Sequence, residues 1–155
     1  MQKDIKLPAK KISLIQKIKS YADLTKLRLS SLVVISALLG YLIAPGEADY
    51  LHLIFLFVGG FLITGSSNAF NQVWERDLDK LMKRTQNRPL PLGNLSVIES
   101  LVFASLIGCA GLFLLWLVND ACAILGALAL ALYVIVYTPL KTVTPFAVFI
   151  GAIPG

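Results

Sequence analysis

Four long stretches of this chain contain no Asp, Glu, Lys or Arg: Leu29–Gly46, Leu51–Trp74, Ser100–Asn119 and Ala121–Leu140. Each is close to the ~20 residues with which a helix crosses a bilayer. A helix packed in a soluble bundle keeps a polar face at a period of 3.6 residues, and these stretches keep none. Only 15% of the chain is charged against 57% hydrophobic, which excludes an ordinary soluble domain. The expected fold class is all-α, a multi-pass transmembrane helical bundle in contact with the lipid bilayer. A fifth apolar stretch, 142–155, is too short to span, so the chain is expected to stop in mid-helix. Residues 1–28 are expected to be a basic segment ahead of the spans and not a cleavable signal peptide.

The net charge of +5 does not imply nucleic acid, because the basic residues report topology instead. Lys3, Lys6, Lys10, Lys11, Lys17, Lys19, Lys26 and Arg28 precede the first span. Arg76, Lys80, Lys83, Arg84 and Arg88 lie between the second and third, and Lys141 follows the fourth. All fall on one side, which the positive-inside rule makes cytoplasmic or matrix-facing. The expected location is the inner (plasma) membrane, with the N-terminus and the 75–96 loop cytoplasmic.

The other connections are short turns at Pro45-Gly46 and Asn119-Asp120. The long charged connection from Glu75 to Ser96 is the candidate for chemistry. Its end, Ser96 with Glu99 three residues on, reads as a capping box, and that is the whole role assigned to Glu99. Cys109 and Cys122 read as buried packing residues. His52 and Trp74 read as interfacial residues at opposite ends of the second span, leaving no Ser-His or Cys-His pair for nucleophilic catalysis.

If the second span continues as a helix, Asn71, Glu75 and Asp79 stand at i, i+4 and i+8 and share one face, rising ~6 Å per step. Asn68 lies one turn earlier on that face. Asp77 points away and reads as a partner for Arg76 or Lys80. Two carboxylates with one or two amides are hard oxygen ligands of the kind Mg²⁺ takes together with substrate phosphates. Lys83, Arg84 and Arg88 then offer cations for the remaining diphosphate charge. The charge pattern alone equally allows a solvated helix end with its acids and bases paired. Amides buried in an apolar span weigh against that, because polarity at that depth is costly.

The segment Asn71-x-x-x-Glu75-x-x-x-Asp79 resembles the first acidic motif of the intramembrane UbiA-type prenyltransferase superfamily. The longer string with Asp77, Met82, Arg84-Thr85 and Asn87-Arg88-Pro89-Leu90 looks like the branch of that family that farnesylates haem. Weaker likeness extends from Leu24-Thr25-Lys26 to Tyr137-Thr-Pro-Leu-Lys141 and Gly151-Ala-Ile-Pro-Gly155. Glu75 stands where many relatives carry Asp, and Leu27 where many carry Pro. The resemblance implies the N-terminal part of a nine-helix bundle around a lipid-open cavity. It implies that Asn71, Glu75 and Asp79 ligate Mg²⁺ on farnesyl diphosphate. Lys83, Arg84, Arg88 and Lys141 would meet the diphosphate, with Asn68 and Asn87 as further candidates. The acceptor would be haem B, and a haem A synthase or terminal-oxidase assembly machinery would be a partner. A second acidic motif belongs to the family's other half, so residues 1–155 by themselves are expected to be inactive. A quinone-pathway aromatic prenyltransferase and a non-catalytic membrane assembly protein are the alternatives.

Overall fold

The computed structural model describes residues 13–141 together with Val143, Thr144, Ala147 and Gly151. Among them the chain is all helix and turn, with no strand. Helix α1 spans Leu14–Thr25, α2 Leu27–Ile43, α3 Tyr50–Leu81, α4 Val97–Val118 and α5 Asp120–Ala131. The last continues through a π-helical stretch, Leu132–Tyr137, into a final turn, α6, at Thr138–Leu140. Helices α3, α4 and the run from Asp120 to Leu140 are each long and apolar enough to cross a membrane. Helices α1 and α2 meet at a 47° bend and reach that standard only as a pair.

The interior is polar and small where a soluble core would be apolar. Helix α3 buries Gly59, Ser66, Ser67, Asn68, Asn71 and Gln72. Leu51, Ile54 and Phe57 of the same helix point outward. Lipid takes the large apolar side chains, so helices associate through small residues and hydrogen bonds. The α3–α4 seam follows this rule. A Cβ on Gly111 would lie 3.0 Å from Gly59 O and 2.9 Å from Ile63 Cγ1. Ser66 donates to Ala104 O across the same seam at 2.8 Å.

Four expectations need correction. Residues 75–81 belong to α3 and not to the connection, which is 82–96. Charge marks where the apolar stretch ends, whereas the helix runs on until its capping. The boundary after residue 28 divides a packed unit. Helix α1 buries Leu24 in one core with Ala69, Val73, Leu90 and Leu95, and Tyr21 packs 4.6 Å from Phe103. Glu99 does more than belong to a cap. Ser96 Oγ accepts its N–H at 3.1 Å, but its carboxylate accepts from Tyr21 Oη at 2.6 Å and pairs with Lys17 at 2.7 Å, tying α1 to α4. Cys109 is exposed and Cys122 half-buried, because on a lipid-facing surface an apolar thiol needs no interior. Most of the stretch 142–155 lies outside the described residues.

Candidate functional site

The polar end of α3 is where distant parts of the chain converge. Asn71, Glu75 and Asp79 succeed one another along one face, and Asn71 Nδ2 donates to Glu75 Oε2 at 2.9 Å. Arg88, from the connection, donates to Asp79 Oδ2 at 2.7 Å and stands 3.9 Å from Glu75 Oε2. Lys141, beyond α6, pairs with Glu75 Oε1 and donates to Asn71 Oδ1 at 3.0 Å. The Glu75 and Asp79 side chains are only 12% and 5% exposed, so these charge-assisted bonds are made largely out of water.

Each partner is held by its local fold. Thr85 is buried and donates to Asp79 O at 3.2 Å, fastening the connection to the end of α3. Arg88 N–H then donates to Thr85 O at 3.0 Å, and Leu90 and Leu95 anchor the rest of the connection in the core. Lys141 is delivered by the π-helical stretch. Thr138 donates its hydroxyl to Tyr133 O at 2.8 Å and sits 3.2 Å from Asn71 Oδ1. π-Helical turns shift the register of the residues after them. Here those residues are Thr138 and Lys141, which both reach Asn71.

The remaining candidates separate. Arg84 is exposed but lines a cavity of about 160 Å³ with Glu75, Asp79, Thr85, Arg88 and Lys141. Lys83 is exposed and lines no part of that cavity. Asn87 faces a different polar cleft, beside Lys19, Asp23 and Asn94, because the turns of the connection carry it toward α1. Asn68 is buried, and its amide is turned to α1 and α2, 3.4 Å from Thr25 O and 3.5 Å from Ser30 Oγ. Asp77 is outside, bonded to Lys80 at 3.0 Å and close to Arg76 at 3.5 Å. His52 begins the far end of α3, 3.6 Å from Asp49. At 1.5 Å per residue it is about 40 Å from Asp79.

Sequence reasoning passed over Lys26. It sits half-buried at the α1–α2 bend, with φ 50° and ψ 61°. Its signals were its place among the N-terminal cations, which read as topology, and the weaker likeness at Leu24-Thr25-Lys26, to which no role was attached.

The donor set is all oxygen: Asn71 Oδ1 and the Glu75 and Asp79 carboxylates. No group of three or more His, Cys, Asp or Glu gathers for a metal among the described residues. A cation here would be shared between two carboxylates and a ligand's own oxygens, which suits Mg²⁺ and does not suit a closed transition-metal site. Beside it, from Asn68 toward the middle of the bundle, runs an apolar cavity of about 230 Å³. Leu29, Val33, Ile63, Ala129 and Tyr133 line it.

A membrane bundle with a carboxylate–cation cluster at one end of a long helix and an apolar cavity beside it has the architecture of an intramembrane prenyltransferase. Residues 33–155 match the model of the UbiA prenyltransferase family, and the chain belongs to that family. It is 46% identical over 135 residues to the protoheme IX farnesyltransferase of Christiangramia forsetii, covering 87% of this chain and 45% of that protein. It is 37% identical to the protoheme IX farnesyltransferase of Shewanella pealeana, over all of this chain and 52% of that protein. With the mitochondrial protoheme IX farnesyltransferase of Saccharomyces cerevisiae it shares 40% identity, over 87% of this chain and 29% of that protein. The chain thus spans about half the length of the bacterial relatives it matches. No solved structure matches it.

Proposed function

We propose that this chain carries the first diphosphate site of an enzyme that transfers the farnesyl group of farnesyl diphosphate to a vinyl group of haem B, giving haem O. The single observation behind the reading is the line Asn71, Glu75, Asp79 with Arg88 and Lys141 seated on its carboxylates. The family and the names of the relatives support the acceptor and the prenyl donor.

In the reaction the C1–O bond of farnesyl diphosphate breaks, and its electron pair leaves on the diphosphate. The vinyl π electrons close on the allylic cation, water adds hydroxide to the resulting centre, and a proton is released. Asn71, Glu75 and Asp79 would hold Mg²⁺, whose chemistry is to offset charge on the departing diphosphate. In the free chain Arg88 and Lys141 hold positive charge against these same carboxylates. Arg88 and Lys141 would donate to phosphate oxygens of the bound diphosphate. The apolar cavity from Asn68 to Val33 and Ile63 would take the farnesyl chain and exclude water from the cation. No nucleophilic side chain is required.

The charged end is assigned to the cytoplasmic or matrix face of an inner membrane by its excess of Lys and Arg. The test is haem O formation, detected by mass, in membranes supplied with haem B, farnesyl diphosphate and Mg²⁺. Those membranes contain the chain together with the remaining half of the Shewanella relative. Haem O above the level given by that half alone supports the reading. Prenylation of added hydroxybenzoate or naphthoate in place of haem B overturns the acceptor.

A further inference from the structure

We propose that α1 is an interfacial helix that seats the charged end of the molecule on an anionic lipid surface. Leu14, Ile15 and Ile18 lie among the acyl chains, and Lys19 meets the headgroup phosphates. This surface is separate from the acidic stripe and takes a different ligand.

At about 100° per residue, the positions from Leu14 to Leu24 divide into three arcs. Lys17, Ser20, Tyr21 and Leu24 form the packed one. Ser20 and Leu24 are buried, Leu24 in one core with Ala69 and Val73 of α3. Tyr21 packs on Phe103, and with Lys17 it meets Glu99 of α4. Gln16, Lys19 and Asp23 form the second arc, which borders the polar cleft with Asn87 and Asn94. Leu14, Ile15 and Ile18, with the half-buried Ala22, form the third. Among the described residues nothing covers it: the three large side chains are 74%, 79% and 62% exposed.

Neither bulk phase suits such a helix. Inside the hydrocarbon, Lys19 and Asp23, both exposed, would be ionised side chains one turn apart, costly at that depth. In water, three large aliphatic side chains would stand side by side against solvent. The membrane interface accepts both faces. Helix α2 has 17 residues, a rise of about 26 Å against ~30 Å of hydrocarbon, so it crosses without α1. The 47° bend then turns α1 out of the line of that span. Exposed apolar residues continue beyond α1, with Leu27 and Leu29 at the start of α2 and Ile98 at the start of α4. Charge selects the kind of lipid. Residues 1–28 contain eight Lys and Arg against two acids, Asp4 and Asp23, and a leaflet of anionic headgroups complements that excess. Lys19 is exposed at the edge of the apolar arc, where its stem lies along the acyl boundary and its ammonium reaches outward to phosphate. Because Leu24 also packs with Leu90 and Leu95, seating α1 fixes the height of the connection that carries Arg88.

The test uses the whole chain in vesicles of phosphatidylcholine and phosphatidylglycerol, with Cys109 and Cys122 replaced by Ala so that single cysteines carry the probes. Nitroxides on Ile15→Cys and Ile18→Cys should relax readily with oxygen, which concentrates in lipid, and weakly with a water-soluble nickel chelate. Those on Gln16→Cys and Asp23→Cys should show the reverse. A bimane on Ile18→Cys then reports which lipid lies beside α1. Spin-labelled phosphatidylglycerol should quench it in preference to spin-labelled phosphatidylcholine, with association constants about fivefold apart, the equivalent of ~1 kcal/mol for one lysine at the surface. Lys19→Gln and molar salt should each weaken that preference. A bimane on Ile43→Cys, at the far end of α2 beside a connection without Lys or Arg, should show none. Nickel reaching Ile18→Cys overturns the interfacial helix, and so does protection of both isoleucine sites from both reagents, as a second protein surface would give. Equal quenching by the two lipids at Ile18→Cys, the same preference at Ile43→Cys, or a preference that Lys19→Gln leaves intact overturns the anionic surface at Lys19.

Discussion

Lys141 Nζ donates to Asn71 Oδ1 at 3.0 Å although 70 residues separate them. The same ammonium pairs with Glu75, one turn further along α3. The residue that follows α6 is therefore fastened to the acidic stripe itself. The first prediction comes from that link. Lys141→Met leaves the Glu75 carboxylate and Asn71 Oδ1 short of a donor in a site that is mostly buried. It should lower the thermal midpoint in detergent, by an amount corresponding to about 1–3 kcal/mol. It should also weaken pyrophosphate binding. Lys141→Arg should recover part of both, and a midpoint unmoved by Lys141→Met would mean the contact carries no weight.

The α3–α4 seam makes the second. A Cβ at Gly111 would meet Ile63 N and Gly59 O at 3.0 Å, which is backbone that cannot turn aside. Gly111→Ala should destabilise the bundle by about 1–3 kcal/mol, the usual cost of overpacking. Gly40, in α2, has nothing within 4 Å of the same construction. Gly40→Ala should therefore leave stability unchanged or raise it by up to ~1 kcal/mol. Thermal melts of the two variants in one detergent compare them directly. Equal midpoints would show that the helices are not in close contact there.

Sidedness supplies the third. In sealed vesicles with the native outer face exposed, and with Cys109 and Cys122 replaced by Ala, a cysteine replacing Glu47 should react with an impermeant maleimide. One replacing Lys83 should react only after the membrane is opened. Labelling of the Lys83→Cys chain from outside would invert the orientation.

Turnover is the fourth. Residues 1–155 by themselves should form no haem O from haem B, farnesyl diphosphate and Mg²⁺. Their site offers one carboxylate pair, and its nearest cations already neutralise that pair. A departing diphosphate carries about three negative charges, more than one divalent ion and those cations stabilise away from water. Mass detection of haem O from the purified chain would refute this.

The acidic stripe was legible in the sequence because helical periodicity alone puts Asn71, Glu75 and Asp79 on one face, and α3 runs unbroken through all three. The same periodicity placed Asp77 outside with Lys80 and Arg76, where it lies. Asn68 shows the limit of that reasoning. It shares the face of Asn71, but its amide is taken by Thr25 O and Ser30 Oγ from a bend that no local pattern announces. Lys141 reaches the site through a π-helical register shift, and Glu99 finds Tyr21 through a tertiary approach of α1 to α4. Each of these depends on which surfaces meet, and a window of neighbouring residues does not contain that information. Cys109 was misplaced for a related reason, since in a lipid-facing bundle an apolar run does not imply an interior position.

The central claim is that Glu75 and Asp79 hold Mg²⁺ against a diphosphate. Its most direct measurement is the Mg²⁺ dependence of farnesyl diphosphate binding to the chain and to three single variants. Binding should require Mg²⁺, and Glu75→Gln and Asp79→Asn should each weaken it at least ~10-fold, since each removes a charged ligand worth more than ~1.4 kcal/mol. Asp77→Asn, changed only on the exposed face, should stay within about twofold, the small effect expected of a surface ion pair. Binding that ignores Mg²⁺, or equal losses at Glu75, Asp77 and Asp79, would contradict the account.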